Sequence, residues 1–92
     1  SFVEPFVTNL SPSGTVSATP TFSWTGISGY TYKVDVYDNN NNNTLWESGS
    51  LTTTSVVYSG PPLTSGVTYY YYVLLVDGYW NFSLAGGSFT VQ

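Results

Sequence analysis

The sequence has no cysteine, no methionine and no histidine, and its 92 residues carry one basic side chain, Lys33. Each absence removes a class of chemistry. Without Cys there are no disulfides, so stability rests on packing, and cysteine usage says nothing about the redox compartment. Without His, Cys or Arg the usual general base, nucleophile and tunable groups are missing, which argues against an enzyme. One Lys against five carboxylates (Glu4, Asp35, Asp38, Glu47, Asp77) excludes electrostatic capture of a phosphate backbone, and with it a nucleic-acid partner. No run of 18 apolar residues is present, and Ser1 opens without a charged n-region and apolar h-region. The expectation is therefore no membrane insertion, and an exported protein seen in processed form. Charged residues make up 7% of the chain, against about a quarter in ordinary globular domains. That scarcity leaves the surface to Ser, Thr, Asn and Tyr and points to an extracellular or cell-surface location.

Aromatic residues, by contrast, reach 18%, with nine Tyr, five Phe and three Trp, a mixture that suits strands. The length is that of one domain, spanning residues 1–92. Short β-branched or alternating segments are punctuated by Gly, Pro, Asn and Ser about every 8–12 positions, as in an all-β sandwich, and nothing has a helical period. The segments are Glu4–Leu10, a short piece at Thr15–Val16, Pro20–Thr25, Tyr30–Asp38, Thr44–Gly49, Thr54–Tyr58, Val67–Val76 and Gly86–Val91. Because successive side chains of a strand point to opposite faces, phase separates inside from outside. The predicted core is Phe22, Trp24, Tyr32, Val34, Val36, Val56, Tyr58, Leu63, Tyr69, Tyr71, Val73, Leu75, Phe89 and Val91. Thr31, Lys33, Asp35 and Tyr37 form the opposite, wet set.

The string Leu63-Thr64-Ser65-Gly66-Val67-Thr68-Tyr69-Tyr70-Tyr71-Tyr72-Val73 resembles the E–F corner of fibronectin type III domains, with Ser65 for the usual Pro and Val67 for the usual Thr. Leu10-Ser11-Pro12-Ser13-Gly14-Thr15-Val16, Thr19-Pro20-Thr21-Phe22-Ser23-Trp24-Thr25 and the closing Gly87-Ser88-Phe89-Thr90-Val91 are similar to the bacterial and archaeal extracellular branch. The resemblance implies a seven-stranded immunoglobulin-like β-sandwich of fibronectin III type. It implies Tyr69 as the corner tyrosine bonded to backbone near the turn, and Trp24 as the core tryptophan. It further implies a spacing, adhesive or accessory module; this part of the reading is analogy from fold.

The candidate sites follow from what remains. Asp35 and Asp77 are the nearest approach to a glycosidase pair, but both occupy positions typical of solvated carboxylates, so no catalytic residue is assigned. Asp38 with Asn39–Asn43 offers oxygen ligands to Ca²⁺. A hairpin loop of left-handed-tolerant Asn explains the run better, and no metal or cofactor is expected. Asn9, Asn42 and Asn81 begin Asn-x-Ser/Thr strings; Asn42 and Asn81 are the glycosylation candidates.

The most informative segment is Val67–Val76, whose outward residues Tyr70, Tyr72, Leu74 and Val76 are as apolar as its inward ones, whereas a wet face should alternate with polar residues. Together with Tyr37, and with Trp80 in the following loop, Tyr70, Tyr72 and Leu74 form the expected interaction patch. Three readings stay open: a tyrosine ladder that only stabilises the sheet, burial against a neighbouring domain or another copy, and an aromatic platform for sugar rings. The expectation is a non-catalytic structural or adhesive module that binds protein, with self-assembly into a filament or surface layer included. A carbohydrate-binding accessory module is the alternative.

Overall fold

The computed structural model describes residues 6–38, 43–79 and 82–92. Eight strands alternate with turns: β1 (Thr8–Ser11), β2 (Thr15–Val16), β3 (Thr21–Thr25), β4 (Thr31–Asp38), β5 (Thr44–Glu47), β6 (Ser55–Val57), β7 (Thr68–Val76) and β8 (Phe82–Val91). They form two sheets, one ordered β1-β3-β6 and the other β2-β8-β7-β4-β5. All pairings are antiparallel except β2 with β8, which run parallel with Thr15 opposite Thr90 and Val16 opposite Val91. The expected seven strands become eight because the short Thr15–Val16 piece pairs in its own right, on the sheet opposite to β1.

Phase places the core as expected along most of the chain. Phe22, Val34, Val36, Val73 and Leu75 are fully buried between the sheets, with Trp24, Tyr32, Tyr58, Leu63, Tyr69, Tyr71, Phe89 and Val91 around them. Phe22 is the aromatic hub, its ring centroid 4.9 Å from that of Tyr71 and 5.8 Å from that of Phe89. Offset and edgewise contacts of this kind add to simple burial. Two core positions differ from expectation. Val56 is only half-buried, since β6 is a three-residue edge strand, and Val7, just before β1, joins the core.

Four buried tyrosines each use the hydroxyl to hold a loop. Tyr69 Oη accepts the Thr64 N–H at 2.9 Å, which is the corner contact that the motif implied. Tyr71 donates to the Pro12 carbonyl at 2.9 Å and Tyr58 to that of Pro61. Tyr32 Oη accepts from the Ile27 N–H and donates to the Ile27 carbonyl. In each case a ring fills the core while its polar tip ties down a loop backbone group, buried at Pro12 and partly buried at the other three.

Candidate interaction surface

β7 is the middle strand of the five-stranded sheet and sends Tyr69, Tyr71, Val73 and Leu75 into the core. Tyr70, Tyr72, Leu74 and Val76 therefore lie on the outer face. Tyr70 and Tyr72 are 42% and 41% exposed, and Leu74 and Val76 are half-buried among their cross-strand neighbours. On one side β4 brings Tyr37 opposite Tyr70, and its ring meets Tyr72 edge-on at 5.5 Å and 78°. The other flank is β8, which sets Ser88 opposite Tyr70, Gly86 opposite Tyr72, Leu84 opposite Leu74 and Phe82 opposite Val76.

Leu84 and Phe82, 44% and 60% exposed, are outward residues that sequence reasoning missed. It began this strand at Gly86 and left Phe82 in the preceding loop, whereas the strand starts four residues earlier. The alternation of Phe82-Ser83-Leu84-Ala85 carried the signal, but the following Gly86-Gly87 reads as a turn. Those glycines fit the strand because β7 rings cover them from opposite sides. A Cβ on Gly86 would lie 2.9 Å from Tyr72 Cε1, and one on Gly87 2.8 Å from Tyr71 Oη.

The outer face thus has two halves. Leu74, Val76, Phe82 and Leu84 make an apolar row at the end where β7 leads into β8. Toward the other end Tyr70, Tyr72, Gly86 and Ser88 line an open trough of about 370 Å³. Tyr79, 83% exposed, stands in the connection between the two strands, where its N–H bonds the Asp77 carboxylate. Trp80, Asn42 and Asn81 fall outside the described residues, as does most of the Asp38–Asn43 loop. Asn9 adopts a left-handed backbone in β1 (φ 57°), and its side-chain amide donates to Thr25 Oγ1 at 2.9 Å.

Charge on this face lies along the middle of β4, where Lys33 stands opposite Leu74 and Asp35 opposite Tyr72, and there Asp35 departs from expectation. It points outward as phase requires, yet it is buried, at 6% exposure, wedged in register between Tyr72 of β7 and Glu47 of β5. Lys33 Nζ sits 3.1 Å from Glu47 and 3.7 Å from Asp35, and Asp35 Oδ1 accepts no hydrogen bond. Burial raises the Asp35 carboxyl above its ordinary value, Lys33 opposes the shift and Glu47 adds to it. The hydrogen bond to Glu47 raises the Lys33 ammonium despite some desolvation. Nothing here resembles a nucleophile with its base, and among the described residues no three His, Cys, Asp or Glu side chains gather as metal ligands.

With this geometry in place, comparison with known proteins adds context. The family described as Rha78A-like, N-terminal immunoglobulin domain matches residues 7–83. A comparison with curated proteins finds no match. Among solved structures, an alpha-L-rhamnosidase from Streptomyces avermitilis, crystallised with L-rhamnose, superposes with a TM-score of 0.67 at 25% identity, covering 92% of this chain and 10% of the rhamnosidase. CopC from Methylosinus trichosporium OB3b superposes with a TM-score of 0.64 at 15% identity, covering 95% of this chain and 92% of CopC. These likenesses support the immunoglobulin-like sandwich and do not single out the fibronectin type III branch that the motifs resemble.

Proposed function

The chain belongs to the Rha78A-like N-terminal immunoglobulin domains, and from that premise we propose that it is a non-catalytic accessory module of a larger secreted or cell-surface protein, docking a neighbouring folded domain of that protein. The observation that carries this reading is the apolar row of half-buried Leu74 and Val76 with exposed Phe82 and Leu84, bordered on its β4 side by Lys33 opposite Leu74. Such patches on small domains mark interfaces. A neighbouring domain is the preferred occupant because the structural relative is a rhamnosidase about ten times the length of the matching segment. In this reading any catalysis by the parent protein belongs elsewhere in it, in keeping with a chain that lacks His, Cys and Arg. The low charge and the Ser- and Thr-rich surface support the secreted or surface location.

The test is the double substitution of Phe82 and Leu84 by Ser. In the isolated domain the melting temperature should fall only slightly, since both side chains are largely exposed already. In the longer parent polypeptide the domain should lose the extra stability its neighbour supplies and melt as the isolated domain does. Equal effects in both settings sink the reading. Concentration-dependent dimers of the isolated wild-type domain, seen by sedimentation and abolished by the same substitutions, would identify a second copy as the occupant instead and revive the filament-forming role.

A further inference from the structure

The other half of the outer face has a different chemistry, and we propose that the trough between Tyr70 and Tyr72 binds a neutral pyranose unit of a polysaccharide. The trough is bounded by Tyr70 and Tyr72 of β7 and by Gly86, Gly87 and Ser88 of β8, and its volume of about 370 Å³ lies within the range of small-molecule sites. Tyr72 is fixed before any ligand arrives. Its ring is braced edgewise by Tyr37 at 5.5 Å and rests over Gly86, where even a methyl group would approach Cε1 to 2.9 Å. A ring already held in place loses little freedom on binding.

The lining selects the ligand class. It contains no charged group: Asp35, cross-strand from Tyr72 on β4, is buried and lies 3.7 Å from the Lys33 ammonium. An anionic or cationic ligand therefore finds no counter-charge there. A purely apolar ligand would cover the hydroxyls of Tyr70, Tyr72 and Ser88, none of which is engaged by another group among the described residues, and would leave them unpaired at a cost. A pyranose answers both requirements. Its C–H face, carrying partial positive charge, stacks on the electron-rich face of a phenol ring, while its equatorial hydroxyls reach the rim of tyrosine and serine hydroxyls. A docked protein segment is the competing occupant, and the experiment separates the two.

The experiment is a titration of the isotopically labelled chain with cellohexaose, xylohexaose and mannohexaose, followed through backbone amide shifts. Saturable shifts confined to Tyr70, Tyr72, Gly86 and Ser88 are expected with at least one of the three. Tyr72→Ala should weaken that binding at least about ten-fold, and so should Gly86→Ala, whose methyl group displaces the Tyr72 ring. Tyr72→Trp should retain it. The Phe82 and Leu84 double variant should bind normally, so that failure of the docking reading leaves this one standing and the reverse also holds. Should Tyr72→Ala lose its dispersed spectrum, Gly86→Ala and Tyr70→Ala carry the test. No shifts with any of the three sugars, shifts located elsewhere, or undiminished binding by the trough variants would overturn the proposal and leave protein as the occupant.

Discussion

Asp35 shows at the scale of one residue that facing outward and being wet are separate properties. Phase put its side chain outside the core correctly, but the lateral neighbours Tyr72 and Glu47 bury it, and no count along one strand reveals how tall those neighbours stand. Its carboxyl is held above the ordinary value of 3.8, so the folded chain binds that proton more tightly than the unfolded one. The stability this group contributes is complete below about pH 3.8 and is lost as the pH rises through the raised folded value. Asp35→Asn should therefore raise the melting temperature at pH 7, by an amount that shrinks toward pH 3, measured by calorimetry at the two pH values. Tyr69 is the opposite case, legible because a corner motif ties one hydroxyl to a local backbone group. Tyr69→Phe should cost about 1–2 kcal/mol in urea unfolding while leaving the fold intact.

At the scale of the element, strands whose two faces differ in composition were the readable ones. β3 and β4 alternate apolar with polar or charged residues, and their inward sets Phe22, Trp24, Tyr32, Val34 and Val36 all reach the core. The start of β8 was not readable, because a Gly-Gly pair is local evidence for a turn and the evidence against it, two rings of β7, is distant in sequence. For the same reason the patch appeared as Tyr37, Tyr70, Tyr72, Leu74 and Trp80, with Phe82 and Leu84 absent. The close cover of Gly87 makes a prediction. Tyr71 cannot retreat, since its hydroxyl holds Pro12 and its ring packs on Phe22, so Gly87→Ala should cost about 1–3 kcal/mol by overpacking. Gly78→Ala, where a Cβ meets nothing within 4 Å, is the control and should change stability little in the same denaturant series.

On the scale of the whole molecule, the two sheets and their shared core follow from segments that composition and phase could locate, whereas the partition of the outer face depends on pairings between strands that sequence separation conceals. The parallel pairing of β2 with β8 belongs to this second class, and it has a mechanical consequence. β1 and β2 lead away from the end where β3 finishes, and β8 runs beside β2 in the same direction before leaving at the opposite end of a body 43 Å long. Tension applied through the two chain ends therefore pulls β2 and β8 past each other along their length. The bonds from Thr90 N–H to the Gly14 carbonyl at 2.8 Å and from Gln92 N–H to the Val16 carbonyl at 2.9 Å then share the load together, as rivets do in shear, instead of opening one after another like a zip. In a polypeptide anchored at one end and pulled at the other, this short pairing is what the force must break, once β1 has parted from β3, before the five-stranded sheet can unravel.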